Sequence, residues 1–226
     1  MRYRIGTVGQ HFLLVLIMVA FTLKPGGAQG EKKETATPRN LTVNDFFELK
    51  AVADPRLSPE GKWVAYTVTS RNLKDDKSET QVWMIPIAGG EAVPMTAKGS
   101  SASSPRWSPD GKYLAFLGAR GEGKAQVWLL NRLGGEAQQL TDVKQGVVSY
   151  EWSPDGKRLA LVIKDPSPEE AAEDKEAPKK PKTPPPWVID RLQFKQDNVG
   201  YLDHRRNHVF VFDLATKKLT QITSGD

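Results

Sequence analysis

One phrase occurs three times in this chain and limits the folds open to it: Leu57-Ser58-Pro59-Glu60-Gly61-Lys62, Trp107-Ser108-Pro109-Asp110-Gly111-Lys112 and Trp152-Ser153-Pro154-Asp155-Gly156-Lys157, with spacings of 50 and 45 residues. Proline presets φ for a tight turn and glycine supplies a positive φ, so each copy predicts a hairpin turn. A strand-like run follows each turn: Trp63-Val64-Ala65-Tyr66-Thr67-Val68, Tyr113-Leu114-Ala115-Phe116-Leu117 and Leu159-Ala160-Leu161-Val162-Ile163. These runs are apolar at both alternating sets of positions, which predicts sheets covered on both faces.

A second phrase keeps the same period. Val82-Trp83-Met84-Ile85 leads to Gly89-Gly90-Glu91 and Thr96; Val127-Trp128-Leu129-Leu130 leads to Gly134-Gly135-Glu136 and Thr141, 45 residues later. A third copy, Val209-Phe210-Val211-Phe212 running to Thr223, follows after 82 residues, implying about 37 inserted residues. A unit of about 45 residues with four short antiparallel strands is the signature of a propeller blade. The fold class expected is therefore all-β: a partial β-propeller of WD40-like or TolB-like repeats, about three blades of the roughly four to eight of a closed ring. A β-sandwich is the alternative, but it requires no fixed period. Trp63, Trp83, Trp107, Trp128 and Trp152 fall inside the repeat and are read as core.

Residues 1–30 have the layout of a secretory signal: Arg2 and Arg4, an apolar run over 12–23, then Lys24-Pro25-Gly26-Gly27-Ala28-Gln29-Gly30, with small residues for cleavage after Ala28 or Gly30. Twelve apolar residues span about 18 Å as a helix, short of a bilayer core of about 30 Å, so an uncleaved anchor is disfavoured. The expected organisation is a signal peptide over 1–30, an N-terminal mature segment over 31–50 and an incomplete propeller over 51–226, with an insertion at about 165–207. Within that insertion, residues 165–186 carry seven Pro, six acids and four Lys and should form a solvated, extended loop open to proteases. Residues 187–202 read as strand, turn and strand, packed on the blade.

Charge and composition exclude further classes. The net charge of +5 falls to +2 once the three basic residues of the first 30 are set aside, and no basic stripe remains, so nucleic acid is not an expected partner. Without Cys there is no thiol catalysis, thiolate zinc site or disulfide. No Gly-x-Ser-x-Gly, His-Glu-x-x-His or phosphate loop occurs. His204 and His208 have the spacing of a zinc pair, but no further His or Cys completes a site, and a surface or hydrogen-bonding role is expected. Asp75-Asp76, Glu169-Glu170 and Glu173-Asp174 are read as solvated loop charge. No catalytic, cofactor-binding or metal-binding residue is assigned.

The segment Asp54-Pro55-Arg56-Leu57-Ser58-Pro59-Glu60-Gly61-Lys62-Trp63-Val64-Ala65-Tyr66, preceded by Leu41-Thr42-Val43-Asn44-Asp45-Phe46-Phe47-Glu48-Leu49, resembles the start of the propeller in the prolyl oligopeptidase family of serine peptidases. The acylaminoacyl-peptidase and dipeptidyl-peptidase-like branch is the nearer match. Val188-Ile189-Asp190-Arg191-Leu192, Gly200-Tyr201-Leu202-Asp203 and Arg205-Arg206-Asn207-His208-Val209-Phe210 resemble the same branch. The resemblance runs from about Leu41 to the end and implies a seven- or eight-bladed propeller that restricts access to a C-terminal α/β-hydrolase domain with a Ser, Asp, His triad. None of the triad positions is in this chain, so peptide substrates would be met through a domain outside it. The signal layout of residues 1–30 implies export, to the periplasm or exterior, with membrane contact only through the signal peptide, and no cofactor is expected. The turn phrase is shared with TolB-type periplasmic propellers, which leaves a non-catalytic propeller binding a protein partner as the alternative. In the first two repeats the next turn begins 12 residues after the matching Thr, from Thr96 to Ser108 and from Thr141 to Ser153. A further copy is thus expected near position 235, and the sequence reads as truncated inside a repeat.

Overall fold

The Ser-Pro-x-Gly phrase closes a hairpin in each of its three copies. In a computed structural model describing residues 39–121, 123–167, 170, 186, 188–190, 192–197 and 199–225, Gly61, Gly111 and Gly156 adopt φ of 70°, 68° and 68°. Their N–H groups donate to the carbonyls of Ser58, Ser108 and Ser153 at 2.8, 2.8 and 2.9 Å. The serine does more than start the turn. Its hydroxyl oxygen accepts the backbone N–H five residues on, from Trp63 (3.0 Å), Tyr113 (3.0 Å) and Arg158 (2.9 Å). Each serine thereby holds the first rung of the hairpin at two points.

The turns join the first two strands of three antiparallel sheets. The first sheet holds β1 (Ala51–Leu57), β2 (Trp63–Asn72), β3 (Lys77–Pro86) and β4 (Val93–Pro94); the second β5 (Ala102–Trp107), β6 (Tyr113–Gly118), β7 (Gln126–Asn131) and β8 (Gln138–Gln139). The third is built from β9 (Ser149–Trp152), β10 (Arg158–Lys164), β13 (Asn207–Asp213) and β14 (Leu219–Gln221). A separate ribbon pairs β11 (Lys195–Gln196) with β12 (Gly200–Tyr201). The one helical turn described, α1 (Asp45–Glu48), buries no residue. No helix among the described residues is long and apolar enough to cross a membrane. Apart from Arg39 and Asn40, the described residues belong to one unit, Leu41–Asp226.

The double-sided apolar pattern is resolved by two cores. On β6, Leu114 and Phe116 join Ala65, Val82, Met84, Trp107 and Trp128 in a core between the first and second sheets. Ala115 and Leu117, alternating with them, join Val127, Tyr150, Leu159, Leu161 and Phe212 in a core between the second and third. Strand alternation sends neighbours to opposite faces, so β6 is apolar on both. Full burial of a Leu or Val side chain such as Leu114 or Val127 stabilises by about 1.5–3 kcal/mol. Trp107 and Trp128 lie in the core as expected; Trp63, Trp83 and Trp152 are only half-buried.

The recurrent Thr of the second phrase also has a structural task. Thr96, Thr141 and Thr223 each accept, through Oγ1, an N–H of the third strand of their own sheet: Val82 (3.0 Å), Val127 (3.0 Å) and Val209 (2.9 Å). The threonine thus continues the pairing just past the end of the short fourth strand.

The insertion departs from expectation. Among the described residues of 187–202 the strands are the two-residue β11 and β12, and Val188 and Leu192, 81% and 102% exposed, do not pack on the sheet. The strands flanking the insertion are already joined: Lys164 pairs directly with Asn207 at its base, and the far side of β13 is occupied by β14, so the insertion has no place between them in the sheet. Phe194 and Tyr201 instead stack on each other, 6.3 Å between ring centres. The signal-peptide reading and most of the Pro-rich stretch lie outside the described residues.

Candidate functional site

The first strands of successive sheets lie against one another, β1 on β5 and β5 on β9, so the sheets converge on that edge. In β1 and β5 the strand carries an extra residue, between Ala53 and Arg56 and between Ser103 and Arg106. Asp54 and Ser104 take positive φ there, 48° and 54°. A following proline, Pro55 or Pro105, removes a ladder donor, and the bulge turns the next side chain across the edge.

The residue two places before each turn serine is Arg56, Arg106 or Glu151. Arg106 is the centre of the group. Its Nη1 meets Asp54 Oδ2 of the first sheet at 3.0 Å and its Nε meets Glu151 Oε1 of the third at 2.7 Å. Arg56 pairs with Asp54 Oδ1 at 2.8 Å. Burial opposes the charge on Arg106, but hydrogen bonds to Glu151 and Asp54 outweigh it and hold its pKa above the ordinary value. Beneath the group, burial pushes the Tyr150 hydroxyl well above its ordinary pKa despite nearby Arg106. As a neutral phenol it donates to the Ser104 carbonyl at 2.9 Å. Trp107 Nε1 donates to the Arg56 carbonyl at 3.0 Å. The edge is a rigid row of fixed charges crossing three sheets. It can bind and orient charged or polar groups, but it holds no nucleophile with an adjacent base.

The remaining chemistry-bearing residues do not converge. His204 Nε2 lies 3.0 Å from Asp190 and His208 Nε2 3.3 Å from Asp165, so each imidazole has its own carboxylate; no metal-binding group of three His, Asp or Glu forms among the described residues. Asp75 accepts from Asn72 within the exposed hairpin. Glu170 lies 3.6 Å from Lys124, while Glu169, Glu173 and Asp174 fall outside the described residues. A cavity of about 280 Å³ opens between the first two sheets beside Arg120, whose guanidinium sits 4.0 Å over the Trp128 ring. The Asp54–Arg106–Glu151 row was not assigned from sequence. The signal for part of it was a full charge two places before the turn serine in all three copies, Arg56, Arg106 and Glu151.

The profile of the TolB beta propeller domain family matches residues 33–179. The chain belongs to that family. A Bacillus subtilis protein described as the uncharacterized peptidase YuxL is 35% identical over 85 residues, 38% of this chain and 13% of its own length. Dipeptidyl-peptidase 5 of Porphyromonas gingivalis is 30% identical over 107 residues, 47% of this chain and 16% of its own. Among solved structures, the Pyrococcus horikoshii acylaminoacyl peptidase superposes with a TM-score of 0.56 at 25% identity, covering 77% of this chain and 25% of that one. The chain spans about an eighth to a sixth of the two sequence relatives. The likenesses agree with the resemblance carried by the segment opening at Asp54, a propeller of the kind found in prolyl oligopeptidase-family peptidases.

Proposed function

We propose that this chain is the gating propeller of an exported serine peptidase that hydrolyses short peptides, of dipeptidyl- or acylaminoacyl-peptidase type. The observation that carries the reading is the converging edge, where Asp54, Arg56, Arg106 and Glu151 pair their charges across strands without a nucleophile and adjacent base among them. Such an edge admits and orients a peptide, while acyl transfer to a Ser assisted by His takes place on a domain outside these residues. The likeness to dipeptidyl-peptidase 5 and to the acylaminoacyl peptidase supports the reaction class. Residues 1–30 act as the export signal, delivering the protein to the periplasm or the exterior.

The test is to sequence the source reading frame beyond codon 226. Further Ser-Pro-x-Gly repeats followed by Gly-x-Ser-x-Gly, then Asp and His, are the expected result. Repeats followed directly by a stop would replace the peptidase with a binding propeller. The purified 226-residue chain is expected to release no chromophore from dipeptidyl or N-acetylaminoacyl 4-nitroanilides, and measurable turnover would overturn the division of labour.

A further inference from the structure

The two joints between sheets are built alike at the turns and differently at the opposite ends of the same strands. A Cβ on Gly111 would lie 3.6 Å from Pro59, and one on Gly156 would lie 3.6 Å from Pro109, so each turn nests on the one before it. At the far end of the second sheet, Ala102 pairs with Gly118. Shifted by the 45-residue period, these two places on the third sheet are Val147 and Ile163, which belong to the core between the second and third sheets. Between the first and second sheets a methyl and a hydrogen stand in their place, and the cavity of about 280 Å³ opens there. All of its walls come from residues 95–137, so further repeats of the chain would bound other joints and leave this one as it is.

The cavity has an apolar interior and a solvent side that carries both signs of charge. Buried Phe116, Trp128 and Leu130, with half-buried Met95, wall the interior. On the solvent side the Arg120 guanidinium lies 4.0 Å over the Trp128 ring, a contact that holds a flexible cation in place. A Glu136 carboxylate oxygen lies 3.8 Å from Arg120 Nη1. That is too long for a hydrogen bond, and both side chains are exposed, so the pair gains little from itself and each charge keeps room for a further partner of opposite sign. An apolar pocket with a few convergent polar groups is the ordinary form of a small-molecule site. An apolar space of about 150 Å³ already takes up benzene, so this one has room for an aromatic or branched aliphatic side chain and the groups that carry it.

We infer that this cavity is a binding site for a free α-amino acid with an apolar side chain. The side chain enters between Phe116, Trp128 and Leu130, the carboxylate pairs with the Arg120 guanidinium, and the ammonium group pairs with the Glu136 carboxylate. An α-amino acid carries its two ionic groups on one carbon, which suits opposite charges 3.8 Å apart; a dipeptide moves them apart by roughly another 3.3–3.6 Å. The site uses none of the residues of the converging edge and does not rest on the peptidase reading.

Calorimetric titration of the 226-residue chain with L-phenylalanine tests the site, and saturable binding of one molecule per chain is expected at millimolar concentration. 3-Phenylpropionate lacks the ammonium group, phenethylamine lacks the carboxylate, and glycyl-L-phenylalanine separates the two; each is expected to bind about tenfold more weakly or worse. Arg120→Gln should weaken L-phenylalanine by a similar factor and leave phenethylamine unchanged, whereas Glu136→Gln should weaken L-phenylalanine and leave 3-phenylpropionate unchanged. Ala102→Val restores the side chain that Val147 supplies at the other joint and is expected to exclude L-phenylalanine without lowering the melting temperature; the two surface variants decide the matter should it fail to fold. No saturable binding of L-phenylalanine, equal binding of the two single-charge analogues, or indifference to both Arg120→Gln and Glu136→Gln would each overturn the inference. Tighter binding of the dipeptide would overturn it in favour of a peptide site.

Discussion

At the scale of the residue, the repeat's short polar side chains are fasteners, and their weights differ with burial. Thr141, 2% exposed, accepts from Val127 N–H and donates to Gln126 Oε1 at 2.8 Å. Thr223 makes the equivalent backbone bond on the surface. Thr141→Val leaves buried groups unpaired and is expected to lose about 2 kcal/mol, whereas Thr223→Val should lose about 0.5 kcal/mol or less; urea denaturation of both variants checks the ratio. Arg106→Met leaves Asp54 and Glu151 without their shared cation, and because the group is partly solvated the expected loss is about 1–2 kcal/mol, read in the same experiment. The turn aspartates give a pH test. Hydrogen bonds from the Ser108 hydroxyl and Lys112 N–H hold Asp110 below its ordinary value of 3.8, and the Ser153 hydroxyl and Lys157 N–H do the same for Asp155. A carboxyl with a depressed folded pKa adds stability above its unfolded pKa and loses it as pH falls through the folded one. Asp110→Asn and Asp155→Asn should therefore flatten the decline of thermal stability below about pH 4 while leaving its slope near neutrality unchanged. An acid limb as steep as the parent's would count against the turn bonds.

At the scale of the element, the hairpins were legible because their turn chemistry is local. Pro and Gly fix the backbone of Ser-Pro-x-Gly wherever the phrase occurs, and the observed glycine φ values cluster within a few degrees. Replacing Gly61, Gly111 or Gly156 by Ala is expected to cost about 1–2 kcal/mol at each, from the left-handed backbone. Their surroundings differ, open at Gly61 and against the movable end of Glu60 at Gly111, so closely similar melting-temperature losses would identify φ as the cause. The sandwiched sheets were legible from Tyr113-Leu114-Ala115-Phe116-Leu117, whose alternating residues divide between two cores. The strand, turn and strand order that ends in β11 and β12 was legible, but its packing was not. Apolar residues such as Val188, Ile189 and Leu192 suggested contact with the blade, but where an insertion can join depends on long-range pairing, and β10 pairs directly with β13 at its base. The charged row escaped for a related reason: Asp54, Arg106 and Glu151 become neighbours only after three sheets converge.

At the scale of the whole molecule, burial is graded across the arc. The second sheet is covered on both faces, whereas the first and third each present one half-exposed face. Amides of β6 and β7 are therefore expected to exchange hydrogen most slowly, with β2, β3, β10 and β13 opening at lower free energy; uniform protection across all three sheets would contradict this gradient. The joints themselves are specified inside each repeat. Because the proline of one turn rests on the glycine of the next, every unit carries a plug on one side and a socket on the other. A gene duplication that copies one unit thus copies its connector as well, and the number of blades can grow or shrink in an ancestral line without a new interface having to arise.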